Sequence, residues 1–140
     1  MSLSVLLPVY SGTQAIEFAG CLTSLENQTL TPDEILLVKD GPLKSETEDC
    51  LKQYNSRLPI QLVEFPKHRG LGPVLRDALP ICTHKLVARV DSDDRCLPDR
   101  FEKQVKILTR CPDISVVGGR LRELYHANGK FKEVIRDGPT

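Results

Sequence analysis

The chain has 140 residues and balances 19 Lys and Arg against 19 Asp and Glu, with 27% charged and 40% hydrophobic residues. That length fits one domain, and this composition excludes a disordered chain. A zero net charge argues against a partner bound through phosphate neutralisation, so no nucleic-acid role is expected.

Leu3 to Val9 is a nearly continuous apolar run, as expected of a strand covered on both faces. Thr13 is placed to N-cap a helix whose apolar positions are Ala15, Phe18, Ala19, Leu22 and Leu25. Pro32 and Asp33 break that pattern, and Ile35 to Val38 reads as a second buried strand. Ser45 and Glu48 have capping-box spacing and open a helix with Leu51 and Tyr54 on one side. Ile60 to Phe65 is a third strand. Gly70 and Gly72 precede Pro73, which suits the first position of a helix with Leu75, Ala78, Leu79 and Cys82 facing inward. Leu86 to Val90 is a fourth strand. Pro98 opens a helix with Phe101, Val105 and Leu108 inside, and Ile114 to Val117 is a fifth strand. Asn128-Gly129 signals a hairpin turn between two closing antiparallel strands.

Alternating strands and helices imply an α/β fold, an open and mostly parallel sheet with helices on both faces, here ending in an antiparallel hairpin. Residues 1–56 carry a net charge of −5 and residues 57–140 one of +5, so the second half could meet an anion. The five cysteines, Cys21, Cys50, Cys82, Cys96 and Cys111, are odd in number and include no C-x-x-C pair. Free thiols in a reducing compartment fit better than a disulfide framework. The N-terminus lacks a basic region, and Pro8 and Gly12 interrupt its apolar stretch, so no signal peptide is read. No apolar run approaches the ~20 residues of a membrane span.

In open sheets of this kind, ligands bind at the carboxyl ends of the strands. Four groups stand there: Pro8-Val9-Tyr10, Lys39-Asp40-Gly41, the basic Lys67-His68-Arg69-Gly70-Leu71-Gly72, and Asp91-Ser92-Asp93-Asp94. Three acids in four positions repel one another and want a cation; oxygen donors favour Mg²⁺ or Mn²⁺ completed by phosphate oxygens. The alternative is a solvated turn in which Asp93 or Asp94 caps the next helix. Gly70 and Gly72 resemble part of a dinucleotide fingerprint, but Leu75 holds the third glycine's place. Asp40 can accept from a nucleobase N–H or simply form a turn with Gly41-Pro42. Tyr10 can stack on a base or pack in the core.

Taken in order, Ser4 to Tyr10, Ser24 to Thr29, Asp33 to Gly41, Arg69 to Gly72 and Val90 to Arg100 resemble the nucleotide-sugar-binding half of the family 2 glycosyltransferases, inverting enzymes of GT-A fold. The Lys-Asp-Gly-Pro variant resembles members that build bacterial exopolysaccharide or O-antigen. The resemblance implies transfer of a sugar, from a UDP-hexose, to a saccharide or lipid-linked acceptor in the cytoplasm or peripherally at the inner face of the membrane. Pro8, Val9, Tyr10 and Asp40 would line the uridine site, with Arg69 and Gly70 near base and ribose. Asp91-Ser92-Asp93 would be the D-x-D motif, with Asp93 as direct ligand of Mn²⁺ or Mg²⁺ and Asp91 on the ribose or a metal-bound water.

Against the family pattern, Lys39 replaces an acid, His68 stands where Asn is usual, and Leu75-Arg76 stands for an Arg-Asn pair. Family members also continue well beyond this length. Residues 1–140 therefore read as a single nucleotide-sugar-binding domain, truncated before the acceptor-binding part that holds the general base. Glu123, Glu133 and Asp137 match no family motif. The rival readings are a metal-dependent phosphotransferase of haloacid-dehalogenase type and a non-catalytic nucleotide-binding module.

Overall fold

A computed structural model of the chain describes residues 2–127 and 130–136. Six strands and four helices follow in order: β1 (Leu3–Tyr10), α1 (Ala15–Glu26), β2 (Glu34–Asp40), α2 (Ser45–Asn55), β3 (Ile60–Phe65), α3 (Leu71–Ala78), β4 (Leu86–Arg89), α4 (Arg100–Arg110), β5 (Leu121–Ala127) and β6 (Lys130–Arg136). A 3₁₀ turn, Leu79–Ile81, extends α3. The chain divides into two compact units, Met1–Lys103 and Gln104–Thr140, with the boundary inside α4.

The first unit is built on a parallel sheet of order β3-β2-β1-β4. β1 and β2 are central, and their apolar runs are buried from Leu3 to Val9 and from Glu34 to Val38. Two crossovers run outward from β1 to β3, and the third returns past β1 to β4. Right-handed crossovers then put α1 and α2 on one face and α3 on the other. On the α3 face, Leu6, Leu36 and Val38 pack with Val74 and Ala78. The opposite pleat carries Val5, Leu7, Val9, Ile35 and Leu37, which are equally buried. There α1 and α2 pack on each other and add Phe18, Leu22, Leu25, Leu51 and Tyr54 to the buried set. No helix among the described residues is long and apolar enough to cross a membrane.

At the amino ends of the strands, buried Glu34 accepts from Ser4 Oγ at 2.9 Å, from the Thr83 N–H at 2.9 Å and from Thr83 Oγ1 at 2.6 Å. At the carboxyl ends, pairing of β1 with β4 stops at Leu6. Pro8, which has no N–H to offer a neighbour, stands two residues further on. The strand order reverses at this point, and a crevice opens between β1 and β4.

The second unit contains β5 and β6, paired antiparallel from Leu121 opposite Arg136 to Ala127 opposite Lys130. Arg122 pairs with Glu133 and Arg136 with Glu123.

Several local expectations are corrected. Ile114 to Val117 forms no strand, since it pairs with no neighbour among the described residues; the fifth strand is Leu121–Ala127. The Ser45–Glu48 capping box does not form, since the helix N-cap is Lys44 and Glu48 bonds Lys39 instead. Thr13 does not cap α1, whose N-cap is Gln14. Pro73 is the third residue of α3 rather than the first, a position whose N–H has no intrahelical acceptor either. Pro98 precedes α4 by two residues. Leu79 is exposed, and Val74 takes the inner position that was expected of it. The Asn128-Gly129 turn and Asp137 lie outside the described residues.

Candidate functional site

The crevice at the switch point is a cavity of about 410 Å³. The end of β1 supplies Pro8, Val9 and Tyr10, and the turn after it supplies Gly12 and Thr13. Asp40 ends β2, His68 and Gly70 come from the loop after β3, and Leu71 and Val74 from α3. Asp91, Ser92 and Asp93 follow β4, and Glu17 adds a carboxylate from the first turn of α1. Of the residues expected at the site, all but Arg69 line this cavity.

Arg69 is turned away. Its Nη2 donates to Asp77 Oδ2 at 2.6 Å, and its guanidinium stands 4.9 Å from the Phe65 ring centre. What Arg69 gives the site is its backbone: its N–H donates to Asp40 Oδ1 at 2.6 Å, and the Gly70 N–H donates to Asp40 Oδ2 at 3.0 Å. His68 Nδ1 lies 3.0 Å from the same oxygen. Asp40 is only 4% exposed, so these donors offset the cost of burying its charge. Asp40 thereby clasps the 68–70 loop. The loop can close on it because Gly41 has φ +83° and no Cβ; one built there would stand 2.8 Å from the His68 backbone nitrogen. His68 is thereby brought beside Tyr10, ring centres 5.7 Å apart and planes inclined by 34°. Both rings are exposed to the cavity side rather than packed in the core.

Lys39, the departure from the family pattern, sits on the other side of the pleat from Asp40. It holds Glu48 of α2 at 2.9 Å and Glu64 of β3 at 3.0 Å. Burial would lower its pKa, but the two carboxylates outweigh it and hold the ammonium above its usual range.

On the β4 side, Asp91 Oδ1 accepts from Arg89 Nη1 at 2.8 Å. Ser92 is buried, its Oγ 3.0 Å from Thr13 Oγ1. Burial first, then repulsion by Asp93 and Asp91, raises the carboxyl pKa of Asp94 despite Arg100 and Arg89. Burial, then Cys96 and the same three carboxylates, pushes the Cys21 thiol far above its usual range. Negative potential is thus concentrated here. No group of three or more metal-ligating side chains occurs among the described residues. Two carboxylates on one cavity wall fit a hard divalent cation that takes its remaining ligands from diphosphate and water.

Sequence reasoning missed Gly12, Thr13, Glu17 and Val74 as lining residues, and it named His68 and Leu71 only as members of a strand-end loop. His68 was within reach, since it stands in a strand-end loop that the fold aims at the switch point. Glu17 and Val74 carry no such signal, because helix periodicity alone does not say which residue of a first turn overlooks a neighbouring loop.

Residues 4–134 match the family described as Glycosyl transferase family 2. The amylovoran biosynthesis glycosyltransferase AmsE of Erwinia amylovora is 39% identical over 127 residues, covering 91% of this chain and 47% of that protein. An Escherichia coli UDP-Gal:alpha-D-GlcNAc-diphosphoundecaprenol beta-1,3-galactosyltransferase is 30% identical over 137 residues, covering 98% of this chain and 50% of that protein. The chain thus spans about half the length of these curated relatives. Among solved structures, Staphylococcus aureus TarS 1–349 in complex with UDP-GlcNAc superposes with a TM-score of 0.67 at 21% identity, over 93% of this chain and 36% of that one. The Pyrobaculum calidifontis mannosyltransferase PcManGT, in complex with GDP-Man and Mn²⁺, gives 0.66 at 24%, over 76% and 32%. At such identities these likenesses establish the fold.

Proposed function

The chain belongs to glycosyl transferase family 2, and on that premise we propose that its cavity binds the nucleotide diphosphate of a sugar donor, a UDP-hexose. The sugar passes with inversion to a saccharide or lipid-linked acceptor in bacterial surface polysaccharide synthesis, at the inner face of the membrane. The carrying observation is the convergence in one crevice of an aromatic wall, a glycine loop and a carboxylate pair. In this reading Tyr10, with Pro8 and Val9, takes the base, and Asp40 serves by holding the loop that carries His68 and Gly70. Asp93, with Asp91, would hold Mn²⁺ or Mg²⁺, which when bound neutralises charge on the departing diphosphate.

Transfer forms the bond between the acceptor oxygen and the anomeric carbon as the bond to the diphosphate breaks. UDP leaves with the electron pair, and the acceptor proton goes to a general base. Asp40 is engaged by its loop, Asp91 by Arg89, and Glu123 and Glu133 by arginines. We therefore assign donor binding to Asp40, Asp91 and Asp93, and the base to none of these carboxylates. The family match does not favour a phosphotransferase.

The test is titration of UDP into the 140-residue chain with Mn²⁺ and with EDTA. UDP at 100 times Kd should add ~2.7 kcal/mol of stability, and Asp93→Ala should abolish the metal enhancement. No binding of UDP in Mn²⁺ would overturn the reading.

A further inference from the structure

The 91–99 segment is irregular, and side chains rather than a ladder hold its backbone. Cys21 Sγ donates to the Asp91 carbonyl at 3.4 Å, and the Cys96 N–H donates to Ser24 Oγ at 3.0 Å. Gln28 Nε2 donates to the Leu97 carbonyl at 2.7 Å, and its Oε1 accepts from the Phe101 N–H at 3.2 Å. Positions 21, 24 and 28 follow helical spacing along α1 and its exit, so one line of side chains meets one stretch of chain.

Nearest the cavity, the same hold is completed by Thr13 and Ser92. Their hydroxyls are 3.0 Å apart across 79 residues of sequence, and both residues are buried. Thr13 is itself fixed: the Tyr10 N–H donates to its Oγ1 at 3.3 Å, and Thr47 Oγ1 donates to its carbonyl at 3.3 Å. Ser92 is the residue between Asp91 and Asp93. With its side chain drawn inward, its two neighbours are left to face the cavity. Carboxylates this close in sequence repel, so the turn needs an attachment that does not depend on them.

We propose that Thr13 and Ser92 are a positioning pair: their hydroxyl–hydroxyl bond fixes the turn from which Asp91 and Asp93 reach the diphosphate and its cation, with Cys21, Ser24 and Gln28 as the splint behind it. The proposal rests on the donor and cation reading above. Residues that orient metal ligands from behind typically carry about tenfold or more of the metal's affinity.

Titration of UDP into the full chain in Mn²⁺ and in EDTA gives, for each variant, the ratio of the two dissociation constants. Thr13→Val and Ser92→Ala should each cut that ratio about tenfold. Thr13→Ser, which keeps the hydroxyl, should restore the ratio, and the double variant should be no worse than either single one. Wild-type ratios in both single variants, or a lowered Tm with an unchanged ratio, would overturn the pair and leave the cation reading standing. Should Thr13→Val not fold, Ser92→Ala decides alone. A wild-type ratio of one would sink the cation reading and this proposal together.

Discussion

The two units hold themselves together by different means. In the first, β1 and β2 are covered on both faces, and Thr13, Gln28, Glu34, Asp40 and Thr47 are buried with them. No buried side-chain nitrogen or oxygen among the described residues lacks a hydrogen-bond partner. In the hairpin of the second unit, Leu121, Leu124 and Ile135 are 60–64% exposed, and Arg136–Glu123 is a surface pair. A two-stranded hairpin is marginal by itself. The contrast teaches that polar substitutions in the site-bearing unit are expensive because each leaves a buried group unpaired, whereas those in the hairpin return charges to water.

The largest effect should come from Gln28→Leu. Its amide serves the carbonyls of Ser24 and Leu97 and the N–H of Phe101, and each group left unpaired in the interior costs ~1–3 kcal/mol. Urea unfolding should show a loss of about 3 kcal/mol, and a loss near zero would break the comparison. Gly41→Ala comes next. A side chain there meets the His68 backbone at 2.8 Å and requires φ +83°, a conformation that costs ~1–2 kcal/mol before any clash. Amide exchange at Arg69 and Gly70 should accelerate, because the loop must lift from Asp40; unchanged exchange would show that the loop does not depend on that approach.

A smaller effect is tied to pH. Burial raises the Glu34 pKa, but hydrogen bonds from Thr83 and Ser4 outweigh it, and the carboxyl sits below its usual range. Its contribution is therefore complete above the unfolded value of ~4.3 and is lost as pH falls through the lower folded value. Glu34→Gln should cost ~1–2 kcal/mol at neutral pH and flatten the decline in stability below about pH 4. An acid limb as steep as the wild type's would assign the decline to other carboxylates. The smallest change belongs to the hairpin. Arg136→Ala should shift stability by no more than ~0.5 kcal/mol, and a loss as large as that of Gln28→Leu would show the hairpin to be as tightly held as the sheet.

The sequence by itself determined the order of elements through the first four strands, the closing pair of strands, and the four strand-end groups from which the crevice is made. These follow from period and from short turn signals, which act over a few residues and survive any tertiary arrangement. Only the tertiary structure decided what each polar group does. Ser45 and Glu48 have the spacing of a cap, yet a charged hydrogen bond to Lys39 on β2 takes the carboxylate. Ile114 to Val117 has the composition of a strand and is none, since a strand exists only where a neighbour pairs with it. Arg69 offered a guanidinium and contributes an N–H, because Asp77 and Phe65 hold its side chain elsewhere. Thr13 reads as a cap and instead meets Ser92 across 79 residues. A hydrogen-bonding side chain takes the best partner within a few ångströms, and for residues far apart in sequence that partner exists only once the sheet has brought its strand ends to one edge.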